Sequence, residues 1–154
     1  MNTDNYSAAR KFYDIAQCFC DVVNNDCASQ KIPLEPLLAA AVQVYSAALG
    51  IPSVEPESVD ADTKERNPLN LSLDDSDIYW EVFDPYILEE PVCGSLSDDI
   101  SSVFYDLCEG MKCYQENRIN DALWIWRFGF RTHWSYHLAS AIRVLNQLVM
   151  AENM

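Results

Sequence analysis

The sequence predicts an all-α protein, a single-domain bundle of four to five helices in which a long acidic loop separates the second helix from the third. Three observations support this fold class. The chain has 154 residues, the usual size of one domain. It is 49% hydrophobic, and its four glycines are few for a β protein with many tight turns. Apolar residues recur at steps of three and four along several segments, which is the spacing of amphipathic helices.

The first two predicted helices cover residues 4–24 and 34–49. Thr3 or Asp4 can cap the first helix, and the polar run at 24–26 ends it. Gly50 followed by Pro52 ends the second helix. The connection between the two is short, so we expect them to be antiparallel neighbours. Residues 51–76 are acidic, contain prolines and lack an apolar period, which predicts the long loop.

The second half of the chain contains two more predicted helices. Residues 77–94 are β-prone and aromatic, and predict a short strand or helical turn before an extended segment. Residues 97–116 form a third helix with Ser97 as its N-cap. The last helix runs over residues 120–150 and would be about 46 Å long. Because that is long for a small domain, we expect a bend near Gly129 or Thr132.

The negative charge is concentrated in one part of the sequence. The net charge is −14, and residues 54–109 hold sixteen acids and two bases, whereas the remainder is neutral. So few clustered bases argue against direct nucleic-acid binding. The acidic segment favours solubility, or an interaction with another protein through an acidic surface. A nucleic-acid mimic is a further alternative.

Neither a membrane nor a cofactor is indicated. The N-terminus is polar, and the longest apolar run, 37–49, is shorter than the roughly 20 residues that span a bilayer. The six cysteines form no C-x-x-C pair, which favours reduced, mostly buried thiols. We therefore expect a cytoplasmic protein without a resident cofactor.

Two stretches of the chain resemble a known family. The first is W-E-x-F-D-P at residues 80–85, followed by G-S-L-x-D-D at 94–99. The second is W-x-W-R-F-x-F-R-x-H-W-x-x-H at residues 124–137. These motifs resemble a bacterial family of uncharacterised proteins, a domain of unknown function, over residues 79–145. The resemblance implies an all-helical domain and supplies no catalytic residue. Ile125 departs from the family pattern, which often has an acid there.

The dense cluster at residues 124–137 provides the candidate ligand-binding residues. They are Trp80, Arg127, Arg131, His133 and His137. The two arginines are four residues apart and share a helix face, where they can present a fork to a phosphate or carboxylate.

A structural interpretation of the arginines competes with the ligand-binding one. A buried arginine needs a carboxylate partner, so we predict that Arg127 or Arg131 pairs with Glu81 or Asp84. Such a pair would pin the acidic segment to the last helix.

His133 and His137 have a spacing that can bind metal, but no H-E-x-x-H or E-x-x-H motif accompanies them, so no metal is expected. The G-x-S-x-G motif, which forms the nucleophile elbow of some hydrolases, is not present in the sequence either. A non-enzymatic interaction or regulatory module is the favoured function. The alternatives are a binder of a small anion, an unrecognised enzyme that uses the Arg/His/Trp cluster, and the nucleic-acid mimic.

Overall fold

The first two helices pack against each other at the N-terminal end of the chain. The computed structural model describes residues 2–24, 31–59 and 66–153. Helix α1 spans Thr3–Val23 and helix α2 spans Leu34–Leu49. The side chain of Asn2 caps α1 by accepting a hydrogen bond from the amide of Asp4. Both helices match the predicted ranges to within one residue, because their apolar periods and end signals agree.

The C-terminal half contains three α-helices and a π-helical turn. Helix α3 spans Leu96–Gln115, α4 spans Ile119–Gly129 and α5 spans Ser135–Glu152, with the π turn at Phe130–Trp134. The predicted last helix is therefore interrupted in the region where we expected a bend. Within the turn, the Thr132 hydroxyl donates to the carbonyl of Phe128, a back-bond that disturbs regular helix.

Two tryptophans occupy the centre of the helical core. Trp126 and Trp134 are completely buried. The ring of Phe12 from α1 lies 4.8 Å from that of Trp126, and the Trp126 indole nitrogen donates to the carbonyl of Leu107 at 3.0 Å. Trp126 packs directly against Gly110, where a methyl group would collide with the indole. The aromatic residues of the sequence cluster thus join α1, α3 and α4.

Residues 77–94, which the sequence left open between strand and helical turn, contain a β-hairpin. Strand β1 spans Ile78–Glu81 and pairs antiparallel with β2, Val92–Ser95, so that Trp80 lies opposite Cys93 and Tyr79 opposite Gly94. The fold is a mostly helical single domain, as predicted, and it also contains this short two-stranded sheet.

A buried carboxylate holds Glu57 and Ser58, two residues of the predicted acidic loop. Asp121, at the start of α4, is 2% exposed and accepts hydrogen bonds from the amides of Glu57 and Ser58 at 2.7 and 3.2 Å. Arg118 donates to the same carboxylate at 3.0 Å. Although burial opposes ionisation, these hydrogen bonds hold the pKa of Asp121 below its ordinary value. Residues 60–65 of the predicted loop lie outside the described residues.

Candidate functional site

The inner face of the hairpin is attached to α3 through Tyr79. Its ring packs against Gly94 on the opposite strand, where there is no room for a methyl group. Its hydroxyl donates to Asp99, a carboxylate that is only 5% exposed in the first turn of α3. Burial and the hydrogen bond to Asp99 raise the pKa of Tyr79. Tyr79 therefore remains a neutral hydrogen-bond donor at physiological pH.

The second carboxylate oxygen of Asp99 is hydrogen-bonded to a histidine from α5. Asp99 Oδ1 lies 2.7 Å from Nδ1 of His137. The hydrogen bond to Asp99 raises the pKa of His137, against the effect of partial burial. Tyr79, Asp99 and His137 thus form a continuous polar connection from the hairpin through α3 to α5.

A second histidine–aspartate pair lies beside the first. Nδ1 of His133, in the π turn, lies 2.7 Å from Oδ2 of Asp106 on α3. Asp106 also accepts from Arg66, which in addition binds Glu109 at 3.0 Å. The imidazole rings of His133 and His137 are 4.9 Å apart. The π turn and the first turn of α5 therefore direct two histidines towards two aspartates that are seven residues apart on α3.

A shallow pocket of about 90 Å³ opens next to His133. Its lining includes Arg66, Asp98, Ser101 and Tyr105. It is much smaller than the roughly 300–1,000 Å³ of small-molecule sites. Ligand atoms of Asp98, Asp99 and His137 lie within 4.8 Å of one another, so these side chains could hold a metal ion. Since both Asp99 oxygens are engaged by Tyr79 and His137, we assign no ion to them.

The hairpin and its loop also expose large apolar side chains to solvent, and we call this set of side chains the hairpin surface. It consists of the large apolar side chains exposed between residues 78 and 92, namely Ile78, Trp80, Val82, Phe83, Tyr86, Ile87, Leu88 and Val92. Trp80 is 65% exposed, Phe83 is 82% exposed, and Tyr86 and Leu88 are almost entirely in solvent. The strand alternation explains part of this pattern, because Ile78 and Trp80 point away from the face that carries Tyr79 and Glu81.

The structure separates the predicted ligand-binding residues. His133 and His137 come together, whereas Trp80 lies on the hairpin surface and is not in the His-Asp cluster. Arg131 is exposed and Arg127 is partly buried. Within the described ranges, neither arginine makes a hydrogen bond or an ion pair.

The predicted ion pairs of Arg127 or Arg131 with Glu81 or Asp84 therefore need correction. Glu81 accepts hydrogen bonds from the Ser140 hydroxyl at 2.9 and 3.1 Å instead. Asp84 accepts from the amide of Tyr86 at 2.9 Å within the hairpin loop. The physical reason is position: the hairpin meets the last helix at α5, beyond the π turn, and not at the arginines in α4 and the turn.

The sequence did not identify Asp99 and Asp106 as the partners of the two histidines, or Tyr79 as a donor to Asp99. One signal was available, since Asp99 and Asp106 are separated by two helical turns and therefore share a face of α3. The N-cap of α3 also differs from the prediction: it is Ser95, whose hydroxyl accepts from the amide of Asp98 at 3.2 Å.

The comparison with known families agrees with the resemblance of the motifs. The profile of DUF5063, described as a domain of unknown function, matches residues 3–151. The chain belongs to the DUF5063 family. No curated protein matches this chain.

The DUF5063 chain is also similar to a solved structure, the crystal structure of protein BF1032 from Bacteroides fragilis. The two share 19% sequence identity over 89% of each chain, with a TM-score of 0.62. At this identity the likeness concerns the fold alone. In the described part of the chain, the helices are too short or too polar to cross a membrane.

Proposed function

We propose that this protein is a non-enzymatic interaction module that binds a partner protein through the hairpin surface. The observation that carries the proposal is the exposure of eight large apolar side chains between residues 78 and 92. Scattered apolar side chains are normal on a protein surface, but contiguous apolar patches beyond a few hundred Å² mark interaction sites. The hairpin concentrates such side chains in a segment of fifteen residues.

Three of the exposed side chains of the hairpin surface are aromatic. An aromatic side chain can bury roughly 150–250 Å², and Trp80, Phe83 and Tyr86 each leave most of that area in water. A standard interface takes roughly 800 Å² from each partner, so several exposed side chains of this size are needed to form one. Aromatic residues also supply a disproportionate share of binding energy in interfaces.

The charge around the hairpin surface specifies the chemistry of the partner. Residues 67–111 contain eleven acids and neither lysine, arginine nor histidine. Glu89 and Glu90 lie in the hairpin loop itself, next to the exposed Leu88. An apolar patch with an acidic border is complementary to a protein surface that carries apolar side chains bordered by lysine or arginine.

The same charge argues against a second copy of this chain as the partner. A symmetric dimer places the same patch on both sides of the interface. The carboxylates of two hairpins would then face each other, without a base from residues 67–111 between them. Like charges at close range oppose association, so a basic heterologous partner fits better.

The hairpin is held in a defined position for such a partner. Its inner face is tied to α3 by Tyr79 and to α5 by Glu81. Its loop is organised by hydrogen bonds between Asp84, Tyr86 and Glu89, at 2.9 and 3.2 Å. A platform that is ordered before binding loses less conformational entropy when the partner docks.

Site-specific photo-crosslinking in the native cell tests this function. A photo-reactive amino acid replaces Leu88 in one variant and Phe128 in a control variant. Phe128 is also exposed, at 53%, but it lies on α4 and stacks on Trp124 away from the hairpin. We expect position 88 to crosslink to a discrete protein, in a peptide with apolar residues and flanking lysine or arginine.

Three results would contradict the proposal. They are equal crosslinking from positions 88 and 128, crosslinked peptides without basic residues, and crosslinks from position 88 to the hairpin of a second copy. The last result would mean that the hairpin surface binds a second copy of this chain and not a basic partner protein. Trp80→Ala in the position-88 variant should reduce the crosslink, because the indole provides the largest apolar contact.

We also place this activity in the cytoplasm. The five cysteines in the described ranges are all free thiols, which suits a reducing compartment. The small-anion alternative has weaker support, because Asp98 lines the pocket next to His133 and Asp106 pairs with Arg66, the base of that pocket. The nucleic-acid mimic has weak support too, since Asp99, Asp106 and Asp121 are used inside the protein.

A further inference from the structure

Two cysteines from different helices, α1 and α3, lie next to each other. Cys20 lies on α1 and Cys108 lies on α3, and their Sγ atoms are 4.0 Å apart. A disulfide requires a sulfur–sulfur distance of about 2.05 Å. Among the described cysteines, no other pair approaches this closely. The two sulfurs would have to approach each other by about 2 Å to form the bond.

We propose that Cys108 and Cys20 are a hydroperoxide-sensitive thiol pair, in which Cys108 is the oxidised thiol and Cys20 resolves it to a disulfide between α1 and α3. This covalent modification site is independent of the hairpin surface. The assignment of the two roles follows from the different surroundings of the two sulfurs.

Cys108 is the more accessible thiol of the pair, and the charge of Arg66 acts on it. It is partly exposed, and it lies between Asp106 and Glu109, the two residues that bind Arg66. A hydrogen bond from Cys20 and the positive charge of Arg66 lower the pKa of the Cys108 thiol, against the effect of burial. The thiolate is the nucleophile towards peroxides, and redox-sensitive cysteines combine thiolate character with access.

Cys20 has the surroundings of a protected resolving thiol. It is 2% exposed, and its sulfur also lies 3.9 Å from Sδ of Met111. The hydrogen bond to Cys108 and burial raise the pKa of the Cys20 thiol. Direct attack of peroxide on Cys20 is therefore disfavoured, whereas its neighbour Cys108 is already in contact.

The chemistry balances in two steps. The Cys108 thiolate attacks one oxygen of hydrogen peroxide, the O–O bond breaks, and Cys108 sulfenic acid forms while hydroxide leaves and takes up a proton as water. Cys20 sulfur then attacks the Cys108 sulfur, the S–O bond breaks, and the leaving hydroxide takes the Cys20 proton to form a second water. Two thiols are oxidised by two electrons in total, and one peroxide is reduced to two waters.

The test is oxidation of the reduced full-length protein with a near-stoichiometric amount of hydrogen peroxide, followed by alkylation of the remaining thiols and peptide mapping. We expect a Cys20–Cys108 disulfide with the loss of two hydrogen atoms from the intact mass. Cys18 and Cys93 are more exposed than Cys108, and neither bonds to another cysteine of the ranges 2–24, 31–59 and 66–153. They serve as internal controls and should remain alkylated.

Matched variants separate the two roles. Cys20→Ser should leave a sulfenic acid at Cys108, which dimedone traps. Cys108→Ser should leave Cys20 reduced, and Cys93→Ser should behave as the wild type. Circular dichroism verifies that each variant is folded, and the wild-type mapping is decisive without any variant.

The proposal is overturned if the wild-type protein keeps both thiols alkylatable while Cys18 or Cys93 is oxidised. It is also overturned if the main product is an intermolecular disulfide through Cys93. Trapping of sulfenic acid on Cys20 in Cys108→Ser, at the rate seen for Cys108 in Cys20→Ser, would contradict the assignment of roles.

Discussion

The tryptophans of the helical core and the tryptophan of the hairpin have opposite environments. Trp126 and Trp134 are fully buried, whereas Trp80 is 65% exposed. The buried indoles hold α1, α3 and α4 together, and Gly110 makes space for one of them. Trp80 contributes nothing comparable to the core. This difference indicates that the same residue type stabilises the fold in one region and remains available for a partner in the other.

The largest change in unfolding free energy is therefore expected when a tryptophan of the core is replaced. Trp126→Ala should reduce the free energy of unfolding by about 3–5 kcal/mol, the usual loss for truncation of a large buried aromatic side chain. The variant also leaves the Leu107 carbonyl without its donor. Urea unfolding followed by circular dichroism measures the loss. A change below about 1 kcal/mol would mean that the core can collapse around the missing indole.

The second prediction concerns the carboxylate that fixes residues 57 and 58 to the core. Asp121→Ala should cost about 1–3 kcal/mol, because two amides and Arg118 lose their acceptor. Asp75→Ala is the matched control, since Asp75 is exposed. The two unfolding midpoints are compared directly. Equal midpoints would show that water replaces the carboxylate without loss.

The third prediction tests the connection between the two regions. Tyr79→Phe removes the hydroxyl that donates to Asp99 and keeps the ring against Gly94. We expect a loss of about 1 kcal/mol in unfolding free energy, typical of one hydrogen bond. Hydrogen exchange at the amides of β1 and β2 should accelerate more than exchange in α4. Uniform acceleration would mean that the hairpin does not open separately.

The fourth prediction is a pH dependence at the same connection. The pKa of His137 is raised in the folded state by Asp99, so its contribution to stability is complete below the ordinary value of 6.5 and is lost as the pH rises through the folded pKa. Around His137 lie Asp98, Asp99, Asp106 and His133. The quantity to measure is the difference in unfolding free energy between wild type and His137→Gln at each pH. That difference should decrease from mildly acidic to alkaline pH, and a constant difference would contradict the assignment.

The smallest stability effect is expected at the hairpin surface. Trp80→Ala and Phe83→Ala should each change the unfolding free energy by no more than about 0.5 kcal/mol, as for other surface substitutions. If these side chains form the binding surface, each should nevertheless weaken partner binding by about 2 kcal/mol, as interface hot spots do. Thermal unfolding and the crosslinking yield at position 88 provide the two measurements. A large loss of stability would mean that these two side chains stabilise the fold, as the core tryptophans do.

Much of the helical framework was predictable because its determinants are local. The apolar period and the Gly50–Pro52 stop set the bounds of α2, and a similar period set those of α1. The hairpin was only partly predictable: β-prone residues at 78–83 suggested a strand, but pairing with β2 depends on residues more than ten positions away. The site was predicted only in its histidines, since the partners of His133 and His137 come from another helix.

The sequence by itself determined the mostly helical single domain, the positions of its first three helices and the interruption of the last one. Those features follow from periodicity, caps and breakers that act within a few residues. Tertiary structure alone decided that Glu81 meets Ser140 instead of an arginine, that Asp99 bridges Tyr79 and His137, and that Trp80 faces solvent while Trp126 does not. The physical reason is that burial and polar pairing depend on which helix faces converge, and the π turn sets where the last helix meets the hairpin.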